Sequence, residues 1–85
     1  MAKTVIVYTT DPCSFCNRVK DLLAERGVSF HEVNLSKDPA GRMELVHKTG
    51  MMSFPQVLID DHLLGGLRET LEAAQNGRLA ELLAA

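Results

Sequence analysis

The stretch from Thr4 to Leu35 constrains this chain more than any other. "TVIVYT" (4–9) is a nearly continuous run of β-branched and aromatic residues, the pattern of a strand covered on both faces and therefore central in its sheet. From Cys13 to Arg26, apolar side chains at Phe15, Val19, Leu22 and Leu23 fall at helical spacing, and Gly27 supplies the stop. "VSFHEVNL" (28–35) then returns to strand composition. Strand, helix and strand within about thirty residues make a βαβ unit, whose two strands run parallel.

The remainder extends that unit. "SKDPAGRMELVHKTG" (36–50) has the acidic and proline residues of a helix start, then Met43 and Val46 on one face, and ends at Gly50. "PQVLID" (55–60), the turn "DD" and "HLLGG" (62–66) read as a hairpin. Leu67, Leu71 and Ala74 mark a third helix, which "NG" at 76–77 breaks before the short terminal helix "RLAELLAA". The order βαβαββα carries no repeat, linker or low-complexity segment, so residues 1–85 are expected to form one α/β domain.

Composition removes several function classes. Eighty-five residues bury one modest core, so a reactive site must lie on its rim. Nine Lys and Arg against eleven Asp and Glu, scattered along the chain, leave no electrostatic footprint for nucleic acid. No apolar run approaches the twenty or so residues that span a bilayer, and "MAKT" opens no signal-peptide core. A cytoplasmic monomer is the expectation. With only two cysteines, a disulfide scaffold is not expected either.

Those two cysteines, in "DPCSFC" (11–16), stand at the start of the first helix, directly after the first strand. Unsatisfied N–H groups and the positive end of the helix dipole stabilise an anion there, which lowers a Cys13 thiol below the ordinary value of about 8.5. Cys16, most of a turn further on and nearer the core, favours the neutral thiol yet reaches the Cys13 sulfur, and a disulfide between them is sterically permitted. Cys13 is thus the attacking thiol and Cys16 the resolving one. Arg18 and Lys20 favour the thiolate; Asp11 opposes it unless its carboxylate turns away or caps the helix. A closed zinc site needs four ligands, and His31, His47 and His62 stand at no typical ligand spacing from the pair.

Pro55 in "SFPQV" has two readings: a strand-start proline, or a cis Phe54–Pro55 bond that turns the Phe54 backbone outward as an unpaired edge near the cysteines. Gly65 and Gly66 either form a simple turn or leave helix N–H groups open to an anion.

Taken together, "YTTDPCSFC", "FHEVNL", "SFPQVLID", "LLGG" and "NGRLAELL" resemble, in order and spacing, the short bacterial dithiol glutaredoxins within the thioredoxin fold. The resemblance implies a four-stranded mixed sheet in the order 4-3-1-2 with helices on both faces and a cis bond at Pro55. It also implies glutathione as co-substrate rather than a tightly bound cofactor, in a groove bounded by the cysteines, Phe54, Pro55, Gly66, Leu67 and Arg68. Arg42 matches a residue contacting the glycyl carboxylate. Cys13 would take the glutathionyl group from glutathionylated proteins, and Cys16 would resolve protein disulfides.

The chain also departs from that pattern. Thr10 and Met52 stand where the family usually has basic residues, Leu67 and Arg68 where it commonly has a small residue and an aspartate, and Ser14 and Phe15 where it often has proline and tyrosine. Arg68 cannot accept the hydrogen bond of a γ-glutamyl ammonium and would repel it. Two alternatives therefore stand beside the glutathione reading. One is a redoxin reset by a thioredoxin-reductase-type partner; the other is a carrier of a [2Fe–2S] cluster, with Cys13 as the candidate ligand.

Overall fold

The computed structural model describes residues 3–84. Strand β1 (Val5–Thr9) takes an inner position, parallel to β2 (His31–Asn34) with Val7 beside Glu32, and antiparallel to β3 (Gln56–Ile59) with Val7 beside Val57. The hairpin through Asp60 and Asp61 returns the chain along β4 (His62–Gly65), giving the order β2-β1-β3-β4, the mixed sheet expected from the sequence. Asp60 adopts a φ of 51°, the left-handed conformation that Asp tolerates in tight turns.

The two sheet faces are covered unequally. Val5, Val7, Val57 and Ile59 point to one face and pack with Val19 and Leu23 of α1 (Ser14–Glu25), Ala73 of α3 (Leu67–Asn76) and Leu79 of α4 (Arg78–Ala84). Helix α2 (Pro39–Thr49) lies on the other face, where Leu45 meets Tyr8 and Leu35, and Thr49 meets Gln56. β1 is therefore fully buried on one face and half-buried on the other, and β2, at the sheet edge, is exposed along its length.

The inner faces of two helices differ from those expected. In α1 the buried row is Cys16, Val19 and Leu23, while Phe15 is 55% exposed, because one residue of rotation carries it about 100° off that row. In α2 the buried residue is Leu45, and Met43 is 60% exposed: two positions apart on a helix are nearly opposite faces. Val46 is half-buried. Helix α2 is otherwise closed as its residues require, with Asp38 accepting from the Gly41 N–H at 2.9 Å, Pro39 in the first turn, and Gly50 left-handed at the end. In α3 the fully buried positions are Thr70 and Ala73, flanked by half-buried Leu67, Leu71 and Ala74.

Candidate active site

β1 ends at Thr9, and the three residues that follow, Thr10 to Pro12, deliver Cys13 to the N-cap of α1. Thr9 is 1% exposed, and its hydroxyl donates to Glu32 Oε2 at 2.7 Å; Lys20 Nζ reaches the same carboxylate at 3.1 Å. The Thr9 hydrogen bond and the Lys20 charge hold the Glu32 carboxyl below its ordinary range. This cluster ties the end of β1 to β2 and α1. Beyond it, Asp11 is fixed twice: its N–H donates to Ser36 Oγ at 2.7 Å, and its Oδ2 accepts from Asn34 Nδ2 at 2.8 Å. The Asp11 carboxylate thus turns toward β2 and does not cap α1. The Asp11–Pro12 peptide is cis, which the sequence reading did not include.

Cys13 itself caps the helix. Its Sγ accepts from the Cys16 N–H at 3.1 Å, and it is disulfide-bonded to Cys16 with a Cα–Cα separation of 5.2 Å. Cys13 is half-buried and Cys16 is 1% exposed, so one sulfur faces the surface and the other lies behind it in the core. An N–H already aimed at the Cys13 sulfur favours negative charge on it once the pair is reduced.

Opposite stands the segment leading into β3. Phe54–Pro55 is cis, the second of the two readings, and Phe54 O lies 4.0 Å from Cys13 Sγ. The Phe54 N–H has no hydrogen-bond partner among the described residues. Gln56, wholly buried, anchors this segment: its Nε2 donates to Met51 O and Ser53 O at 2.9 and 3.0 Å, while its Oε1 accepts from the Thr49 hydroxyl at 2.8 Å. A groove of about 480 Å³ opens beside it, lined by Phe54, Pro55, Gly66, Leu67 and Arg68 together with Phe15 and Arg18 of α1.

Of the residues singled out from sequence, Phe54, Pro55, Gly66, Leu67 and Arg68 therefore share one groove; Cys13 and Cys16 do not line it, and Cys13 approaches it through Phe54 O. Arg42 does not line it; its guanidinium donates to the Leu35 and Ser36 carbonyls and holds the turn that in turn holds Asp11. At the glycine pair the anion position is filled from within, because the Gly66 N–H donates to Glu69 Oε1 at 2.7 Å. Gly65, at φ 125°, makes room for that side chain: a Cβ there would stand 2.8 Å from Glu69 Cβ and Cγ. Two positioning residues, Gln56 and Glu69, were missed in the sequence. A polar residue inside an apolar strand run was the available signal for Gln56, and an acid three residues after a helix-opening glycine was that for Glu69.

An accessible sulfur at a helix N-terminus, backed by a buried partner with which it closes a disulfide, performs one kind of chemistry on a thioredoxin-like sheet: the chain is a thiol–disulfide oxidoreductase. Comparison with known proteins narrows the class. The sequence profile of the glutaredoxins matches residues 5–64. Glutaredoxin 3 of Escherichia coli K12 is 35% identical over 93% of this chain and 95% of that protein. A glutaredoxin of Pseudomonas aeruginosa is 37% identical over 95% of this chain and 96% of its own length. Among solved structures, a buckwheat glutaredoxin–glutathione complex superposes with a TM-score of 0.86 at 26% identity, covering 96% of this chain and 77% of that one. The chain belongs to the glutaredoxin family.

Proposed function

We propose that this protein is a glutathione-dependent reductase of protein–glutathione mixed disulfides and of protein disulfides. The observation that carries this reading is the placement of Cys13, half-buried at the N-cap of α1 and 4.0 Å from Phe54 O, with Cys16 buried behind it. The glutathione complex of the buckwheat relative supports the choice of co-substrate.

The reaction begins with Cys13 as thiolate. It attacks the glutathione sulfur of a mixed disulfide, the protein thiolate leaves and takes a proton from solvent, and Cys13 carries the glutathionyl group. A second glutathione thiolate attacks that group, glutathione disulfide departs, and Cys13 returns to its thiolate form. With a protein disulfide, Cys13 forms the mixed disulfide and Cys16, losing its proton, attacks Cys13 Sγ and expels the reduced protein. Two glutathiones then reopen the Cys13–Cys16 disulfide. The unpartnered Phe54 N–H is suited to pair with the cysteinyl backbone of the incoming tripeptide, and Gly66, Leu67 and Arg68 bound its other end. This chemistry needs a pool of reduced thiol, which is the ground for placing the protein in the cytoplasm; residues 1–85 as one domain acting as a monomer belong to the same proposal.

A second reading keeps the dithiol and changes its reductant. Met52, 83% exposed, stands where the family usually has a basic residue, and Arg68 lines the groove where it commonly has an aspartate; these departures leave fewer groups for glutathione and suit a reductase protein as donor. The test is turnover of a glutathionylated peptide with glutathione, glutathione reductase and NADPH, beside the same assay with thioredoxin reductase. Turnover in the first supports the proposal; turnover only in the second rejects it.

A further inference from the structure

The groove lined by Phe54, whose carbonyl oxygen lies 4.0 Å from Cys13 Sγ, carries an unequal set of available charges. Arg18 from α1 and Arg68 from α3 line it, and Glu69 is the acid among its described lining residues. Glu69 is already engaged, with Oε1 on the Gly66 N–H at 2.7 Å and its stem packed over Gly65. Among the described residues Arg68 commits only its Nε, to Glu72 at 3.4 Å across an exposed pair, and its two terminal nitrogens have no partner there. Arg18 makes no ion pair among the described residues; Asp21 and Glu25, further along α1, share a separate hollow with it. Phe15, Phe54, Pro55 and Leu71 make the rest of the wall largely apolar. The chain as a whole carries a net charge of −2, so the groove is locally opposite in sign to the molecule.

We propose that Arg18 and Arg68 are specificity-determining residues that make this groove select thiols and disulfides with anionic tails and disfavour those ending in a free ammonium. The inference rests on the groove being the co-substrate site and names its ligand class: small thiols bearing carboxylates. Glutathione, with two carboxylates and one ammonium, falls within that class. The Arg68 end is unsuited to its cationic group.

The test uses the reduced full-length chain and three small symmetrical disulfides of similar length: 3,3′-dithiodipropionate (anionic), bis(2-hydroxyethyl) disulfide (neutral) and cystamine (cationic). The Cys13 thiolate attacks one sulfur and releases one small thiolate, which takes a proton from solvent. Cys16 then loses its proton, attacks Cys13 Sγ and releases the second, so two electrons pass from the dithiol to the small disulfide. Each rate is divided by that of dithiothreitol with the same disulfide, which removes intrinsic reactivity, and then by the neutral disulfide's value within the same variant.

The wild type should prefer the anionic over the cationic disulfide by about fivefold at low salt, falling toward unity at 1 M salt, as expected for two exposed cations. Arg18→Gln combined with Arg68→Gln should abolish the preference, and Arg68→Glu should reverse it. A wild-type preference for cystamine, no preference, or a preference that survives the double substitution each overturns the proposal. No glutathione enters this experiment. A normal charge ranking without glutathione turnover would reject the glutathione reading alone, and the converse would reject the charge selection alone.

Discussion

Glu69 Oε1 lies 2.7 Å from the Gly66 nitrogen, so the start of α3 is closed by a side chain of its own first turn. The closure depends on Gly65, whose left-handed φ of 125° and lack of a Cβ admit the Glu69 stem. Gly65→Ala should destabilise the protein by about 1–3 kcal/mol, combining an unfavourable φ with the clash. Chemical denaturation measures this directly. Adding Glu69→Ala should recover part of the loss, because the contacts with Cγ and Oε1 go while the contact with Cβ and the backbone strain stay; strictly additive effects would mean that the Glu69 side chain beyond Cβ takes no part in the clash.

Thr70 is wholly buried, and its hydroxyl has no hydrogen-bond partner among the described residues. Removing an unsatisfied buried hydroxyl while keeping the side chain's shape should stabilise the fold, by about 1 kcal/mol for Thr70→Val. A higher denaturation midpoint at unchanged slope is the expected result. A lower midpoint would show that the hydroxyl has a partner.

Gln56 illustrates what sequence reading captures and what it passes over. The strand itself was legible in "PQVLID", as was the hairpin that follows, because β-branched runs and an Asp-Asp turn are local signals. The use of the buried amide was not, since its partners, the carbonyls of Met51 and Ser53, are set by the path of the loop. The same distinction separates Cys13 and Cys16, legible from their spacing and their place between the first strand and the first helix, from Arg42, whose carbonyl partners at Leu35 and Ser36 depend on how a turn closes. Met43 and Leu45 show a third case: apolar residues two apart on a helix cannot share a face, and only packing decides which is inside.

Gln56→Leu should leave those two carbonyls without their Gln56 donor, while the Thr49 hydroxyl keeps the Leu45 carbonyl, at a cost of about 1–3 kcal/mol. It should also loosen the Phe54–Pro55 segment against Cys13. The expected signature is faster amide exchange over residues 51–55 together with slower disulfide exchange. A loss of stability with unchanged exchange kinetics would confine Gln56 to a purely structural role.

Glu32 supplies the pH dependence. Its carboxyl titrates below its ordinary value in the folded chain, chiefly through the Thr9 hydroxyl and then Lys20. A carboxyl lowered on folding stabilises the protein above its unfolded value, near 4.5, and loses that contribution as pH falls through the lower folded value. Glu32→Gln should therefore be less stable than wild type at pH 7, by about 0.2–1 kcal/mol for so exposed a pair, with the gap closing below pH 4.5. A gap that is constant down to pH 3 would mean that the carboxylate's charge contributes nothing.

The division of labour between Cys13 and Cys16 is tested most directly in Cys16→Ser. Mixing the reduced variant with a glutathionylated peptide should place one glutathionyl group on Cys13, seen by peptide mass mapping, and added glutathione should remove it with release of glutathione disulfide. Deglutathionylation should continue while reduction of protein disulfides stops. Absence of the Cys13 adduct, or an adduct that glutathione leaves in place, would contradict the account.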